Sequence, residues 1–128
     1  MKITAIHHIA IITTNYEVSK AFYTNVLGFT ILAEMYREER QSYKLDLALN
    51  GLYQIELFSF PDAKERASYP EAKGLRHLAF AVSNINEAFL HLQNHHVTLQ
   101  PIRVDEFTNK KFFFFFDPDG QPLEMYEQ

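Results

Sequence analysis

His8-Ile-Ala-Ile11 and His77-Leu-Ala-Phe80 are two versions of one strand-like segment, and each is answered further along by a flanked carboxylate, Ile55-Glu-Leu57 and Leu123-Glu-Met125. His8 and Glu56 stand 48 residues apart, His77 and Glu124 stand 47 apart. This is an internal repeat with ionisable residues at its corresponding points. Two copies of a small unit, each offering an imidazole and a carboxylate from a strand, are what a pseudo-twofold metal site requires.

The surrounding sequence fills in the unit. Residues 3–13 are rich in Ile and Thr and read as a strand. Thr14 to Glu17 has the spacing of a capping box, with Asn15 as an alternative cap, so a helix follows. Its apolar stripe is Val18, Ala21, Phe22 and Val26, and Gly28 supplies a left-handed stop. Residues 29–37, 43–50 and 52–60 read as three strands, the last two joined by Asn50-Gly51, a strong hairpin signal. The first unit is therefore βαβββ.

Pro61 to Gly74 is polar and carries two prolines, so residues 61–73 read as a linker. The pattern then restarts. Residues 75–83 form a strand, Asn84-x-x-Glu87 opens a helix carrying Ile85, Ala88, Phe89 and Leu92, and residues 97–104, 110–117 and 121–127 supply three strands. Asp117-Pro-Asp-Gly120 has the residues of a turn. Module one spans about 1–60 and module two about 74–128, within a single domain of residues 1–128. Units of roughly sixty residues are too small to be comfortable alone, so their sheets are expected to share one structure. The fold class is α+β, two tandem βαβββ modules forming a cup-shaped mixed sheet.

Strand alternation puts His8, Ala10 and Ile12 on one face, and His77, Ala79 and Ala81 share a face in the same way. Each imidazole thus has an alanine two residues on, leaving open space where a packed core would hold a large side chain. Any one of the four ionisable residues alone reads as an ordinary strand residue; their recurrence at matching points of a duplicated unit makes them candidate ligands. His7, His91, His95 and His96 read as surface or helix-end residues. Phe112 to Phe116 reads as a strand buried on both faces, with a pocket wall or a subunit interface as alternatives.

Composition narrows the classes. The chain of 128 residues is 47% hydrophobic and 15% aromatic, enough for a core. Lys+Arg 12 against Asp+Glu 16 gives a net charge of −4 without a basic stripe, so no nucleic-acid partner is expected. Cysteine is absent, which removes thiolate ligands and thiol nucleophiles and leaves an N/O metal site. No signal region or membrane-length apolar run is visible, so a cytoplasmic protein with no membrane partner is the expectation.

The segments His8-Ile-Ala-Ile, Ser19-Lys-Ala-Phe-Tyr-Thr-Asn-Val-Leu-Gly-Phe29, Ile55-Glu-Leu57, Gly74-Leu-Arg-His-Leu-Ala-Phe80 and Asp117-Pro-Asp-Gly-Gln-Pro-Leu-Glu124 resemble the vicinal oxygen chelate superfamily over nearly the whole chain. That superfamily includes glyoxalase I, bleomycin-resistance and fosfomycin-resistance proteins and extradiol dioxygenases. The resemblance implies that His8, Glu56, His77 and Glu124 bind one divalent ion, with Ni²⁺, Co²⁺, Zn²⁺, Mn²⁺ and Fe²⁺ all compatible with an N/O set. It further implies a metal-dependent lyase or isomerase of the glyoxalase I-like kind, which chelates vicinal oxygens of a small substrate and moves a proton through an enediolate-like intermediate. Glu56 or Glu124 then serves as the base. Alternatives are an epimerase or thiol transferase of the same superfamily, or a non-catalytic small-molecule binder like the bleomycin-resistance proteins. Four ligands favour the isomerase or epimerase side over members that use three. Val104 to Lys111 lacks the glycine-rich loop common near the thiol-cofactor site of bacterial glyoxalase I, so the resemblance leaves open whether glutathione or another thiol is used. Arg37, Lys44, Arg76 and Arg103 are the cations available to a substrate carboxylate or phosphate. A homodimer is the expected assembly.

Overall fold

Each helix begins where its cap residue says it should. In the computed structural model, which describes residues 1–128, the Asn15 side chain accepts from the backbone N–H of Val18 and the Asn84 side chain accepts from those of Asn86 and Glu87. Helix α1 covers Tyr16–Ala21 and runs on into a π turn, Phe22–Val26; helix α2 covers Ile85–Asn94. The strands are β1 Ile9–Thr13, β2 Thr30–Arg37, β3 Ser42–Leu49, β4 Leu52–Ser59, β5 Leu78–Val82, β6 Arg103–Val104, β7 Lys111–Phe116 and β8 Pro122–Glu127. Asn50 and Gly51 both take positive φ, 51° and 78°, as a two-residue hairpin of the primed type demands.

The chain divides into two units, Met1–Lys64 and Glu65–Gln128, and each holds one four-stranded mixed sheet. The order in the first is β1-β4-β3-β2 and in the second β5-β8-β7-β6. Both are βαβββ, and the class is α+β, as the repeat predicts. The first strand of each unit pairs in parallel with its last, while the hairpin neighbours are antiparallel. No helix is long and apolar enough to cross a membrane.

In the first unit Leu45, Leu47, Ile55 and Leu57 turn one sheet face into a core that also buries Tyr23. In the second, Ile85 and Leu92 of α2 join Phe113, Phe115 and Leu123. Burying one such side chain contributes about 1.5–3 kcal/mol. The opposite face of each sheet stays open within its own unit: Ile11 and Thr13 are buried, whereas His8, Ala10 and Ile12 are exposed.

Two readings of the sequence change here. Residues 97–104 do not form one strand, because Pro101 has no N–H for the ladder. Thr98 and Gln100 still bond to β7, through Phe116 N to Thr98 O and Gln100 N to Phe114 O, and the named strand resumes only at Arg103. The phenylalanine run is not buried on both faces. Phe113 and Phe115 have no exposure, while Phe112, Phe114 and Phe116 are half-buried on the open side, since α2 covers only one face of that sheet. Phe113→Ala is therefore expected to cost about 3–5 kcal/mol in urea unfolding, and Phe112→Ala, one residue away, clearly less. Equal costs would contradict the one-sided packing.

Candidate functional site

Parallel pairing decides where the ionisable side chains stand. Ala10 lies opposite Glu56 in the β1–β4 register, and Ala79 lies opposite Glu124 in the β5–β8 register. His8 and His77 each sit one residue before the strand, two residues from that alanine and on its face. Alanine leaves the imidazole free to lean toward the carboxylate. In both units the His Nε2 to Glu Oε2 distance is 3.1 Å. The histidines are about one-third exposed (37% and 34%) and the glutamates largely covered (15% and 11%).

That spacing suits a metal. Two ligand atoms each about 2.1 Å from an ion and set at right angles stand about 3 Å apart. Each unit thus presents an imidazole nitrogen and a carboxylate oxygen as neighbouring ligands would be presented. Within either unit the set is two side chains, and no group of three or more His, Asp or Glu is arranged there to hold an ion.

The two pairs differ in what surrounds them. Tyr53 Oη donates to Glu56 Oε2 at 2.6 Å and approaches Asp46 Oδ1 at 3.0 Å, and Lys44 Nζ holds the same Asp46 oxygen at 2.7 Å. Burial, with the two carboxylates, pushes the Tyr53 hydroxyl well above the usual tyrosine range, so it stays a donor. His7 Nδ1 lies 2.8 Å from His8 Nδ1, and the His7 and His8 rings both pack on Tyr53. In the second unit, Phe114 occupies the register position that Asp46 has in the first, opposite Glu124, and its ring meets the His77 ring edge-on at 5.0 Å. Glu124 has His77 as its partner. The chain leading to His77 is held through its backbone instead, with Arg66 donating to the carbonyl oxygens of Leu75 and Arg76.

The four candidate substrate cations are unequal. Lys44 is committed to Asp46, and Arg76 lies 3.6 Å from Glu71. Arg37 donates to Ser42 Oγ and lies over the Phe58 ring at 4.7 Å. Arg103 rests on the rings of Phe112 and Phe114, at 5.0 and 5.7 Å, and pairs with no carboxylate. The His91 and His95 rings lie against each other at a tilt at the exposed end of α2, as expected of helix-end residues. The sequence reading missed Tyr53, Asp46 and His7. A histidine next to a candidate ligand was a usable signal, but nothing in the sequence aims Tyr53 at Glu56.

Comparison with known proteins gives concordant results. The model of the Glyoxalase/Bleomycin resistance protein/Dioxygenase superfamily matches residues 5–125. The uncharacterized protein YaeR of Escherichia coli (strain K12) is 63% identical over 123 residues, 96% of this chain and 95% of that one. The crystal structure of a glyoxalase family protein from Enterococcus faecalis is similar with a TM-score of 0.90 at 49% identity, covering 96% of this chain and 97% of that one. At 18% identity the fold alone is shared with a variant of the fosfomycin resistance protein FosX from Listeria monocytogenes, complexed with Mn(II) and 1S,2S-dihydroxypropylphosphonic acid. Its TM-score is 0.78, over 99% of this chain and 94% of that one.

The unequal cations make a direct test. A double-mutant cycle on the half-covered Lys44–Asp46 pair is expected to give a coupling of about 1 kcal/mol. The looser Arg76–Glu71 pair is expected to give a value near zero.

Proposed function

The chain belongs to the Glyoxalase/Bleomycin resistance protein/Dioxygenase superfamily, and within it we propose that this protein is a metal-dependent lyase or isomerase of the glyoxalase I-like kind, with His8, Glu56, His77 and Glu124 as its ligand set. The observation that carries the reading is the 3.1 Å His–Glu spacing present in both units. Two neutral imidazoles and two carboxylates balance the charge of a divalent ion, and Ni²⁺, Co²⁺, Zn²⁺, Mn²⁺ and Fe²⁺ all suit such donors. The Mn(II) complex of the FosX variant supports a divalent ion as the cofactor class for a fold of this kind. When bound, the ion supplies a Lewis acid for neighbouring oxygens of a small substrate.

The protein's own residues do the rest. Glu56 is tied to Tyr53, whereas Glu124 has only His77 to release. Glu124 is thus the carboxylate free to swing out and act as base, taking a proton from a carbon beside a carbonyl and returning it to the adjacent carbon. Phe112 and Phe114 give the reacting face an apolar wall on which water competes poorly, and Arg103 offers an unpaired guanidinium beside it for an anionic group. The working unit in this reading is a homodimer, with each ligand set drawn from one chain or from two. The edge strand β2 leaves Ile31, Leu32, Met35 and Tyr36 half-exposed, which supports association between copies.

Equilibrium dialysis against Mn²⁺, Co²⁺, Ni²⁺ and Zn²⁺ is expected to give stoichiometric binding that the double variant Glu56→Ala, Glu124→Ala loses. Proton NMR in D₂O, across α-hydroxycarbonyl, acyl-CoA and thiol-adduct substrates, is expected to show metal-dependent exchange of one C–H. Glu124→Gln should slow that exchange by about 10²–10⁴-fold. Failure to bind any ion would sink the reading, and binding without exchange on any substrate would reduce it to a sequestering role.

A further inference from the structure

The repeat makes the two histidines and two glutamates equivalent by position, yet the residues behind them are not. In a regular strand, side chains three apart point to opposite faces. Tyr53 and Glu56 are three apart and hydrogen-bonded. The cause is a register shift in the β3–β4 ladder: Leu47 pairs with Ile55 but Ala48 pairs with Tyr53, so β4 carries one extra residue, Gln54, at that point. Bulges re-aim side chains, and this one turns the Tyr53 hydroxyl onto the Glu56 face. The β7–β8 ladder runs from Phe112–Tyr126 to Phe116–Pro122 without a shift. The register position of Tyr53, opposite Ala48, falls in the second unit to Pro122, opposite Phe116, and proline has no side-chain donor to offer Glu124.

Proton counting shows what the network does. Tyr53 has one O–H and two carboxylates in reach. Lys44 satisfies Asp46, which leaves the tyrosine proton for the shorter bond, to Glu56. The Glu56 carboxylate is therefore fixed at Oε2 by a neutral donor. On the imidazole side, His8 turns Nε2 toward Glu56 and Nδ1 toward His7. With Nε2 given to an ion, the proton of His8 sits on Nδ1 and is donated to the unprotonated Nδ1 of His7, which fixes both tautomer and ring plane. Arg76, the counterpart of His7, accepts nothing and faces Glu71.

We infer that Tyr53 and His7 are positioning residues that hold Glu56 and His8 in their ligating orientations, so that the first unit is the pre-organised half of the metal set and the second is the adaptable half. This rests on the ligand set proposed above. Supporting partners of this kind are worth about 10–100-fold in metal affinity.

The test measures affinity directly, by competition of the whole protein against a chromophoric chelator for Co²⁺ or Zn²⁺, with thermal melting of each metal-free variant to confirm folding. Tyr53→Phe and His7→Phe should each weaken binding by about 10-fold or more, while Tyr69→Phe, at an exposed tyrosine outside the site, leaves it unchanged. In a Glu56→Ala background, Tyr53→Phe should cause no further loss, because the group it holds has been removed; a merely structural tyrosine would weaken both backgrounds alike. His7 is exposed, so its variant reports even if Tyr53→Phe folds poorly. Wild-type affinity, within about twofold, in both single variants overturns the inference and leaves the ligand set standing. A wild type that binds no ion overturns the two together.

Discussion

Parallel pairing between the first and last strand of each unit is the constraint on which the site depends. A parallel neighbour cannot be reached by a tight turn; it needs a long crossover, and here that crossover is a helix and two strands, residues 14–51 in the first unit and 83–121 in the second. The pairing sets Ala10 against Glu56 and Ala79 against Glu124. Because the side-chain period of a strand is two, a slip of one residue would send each glutamate into the core and each buried Ile or Leu beside it into the open. The core thereby fixes the register and the register fixes the 3.1 Å pairs. Stability and the His–Glu geometry are set by the same contacts, Ile55 and Leu57 in one unit and Leu123 in the other.

This division of labour explains how two copies diverge without losing their pairs. Positions that neither fill the core nor carry a ligand are free to change, provided they stay on the open face. Asp46 and Phe114 hold equivalent register positions, yet one builds a charged network and the other an aromatic wall. A carboxylate in the first setting has a donor to hold it. In the second, its partner is a histidine and it faces Phe114 across the ladder, with no hydroxyl donor to hold it. Asymmetry between the halves is what an acid–base role for one of two like carboxylates requires, and here it comes from second-row positions and not from the ligands.

Much of this was legible in the sequence because it obeys strict periods. The Asn84 cap, the Asn50-Gly51 hairpin and the alanine two residues from each histidine follow local or period-two signals, and the structure places them as read, while the first helix takes Asn15, the alternative to the Thr14 capping box, as its cap. What escaped was whatever breaks a period. Tyr53 lies on the wrong face for a regular strand until the extra residue in β4 moves it, and bulges leave no fixed residue signature. Pro101 divided a strand that the apolar pattern ran together. The run Phe112 to Phe116 has no polar residue to mark its outer face, so composition suggested burial on both sides where the fold supplies a helix for one only.

Substrate preference belongs to the same group of features that periods do not encode. Four cations read alike in the chain, and only their partners tell them apart. An ammonium already held by a carboxylate, as in Lys44 with Asp46, must break that pair before it can greet a ligand, and an arginine facing a glutamate at 3.6 Å is partly neutralised. A guanidinium lying on aromatic rings keeps its charge and its outward donors, since a ring face attracts the cation without using its N–H groups. Arg103 is in that state, on Phe112 and Phe114, one ring away from His77. The aromatic wall that stands where the first unit has the Asp46 network thus leaves Glu124 without a hydroxyl donor and carries an unpaired cation on its rings. In the proposed function, a preference for an anionic substrate and the choice of Glu124 as base would both follow from these positions of the second copy.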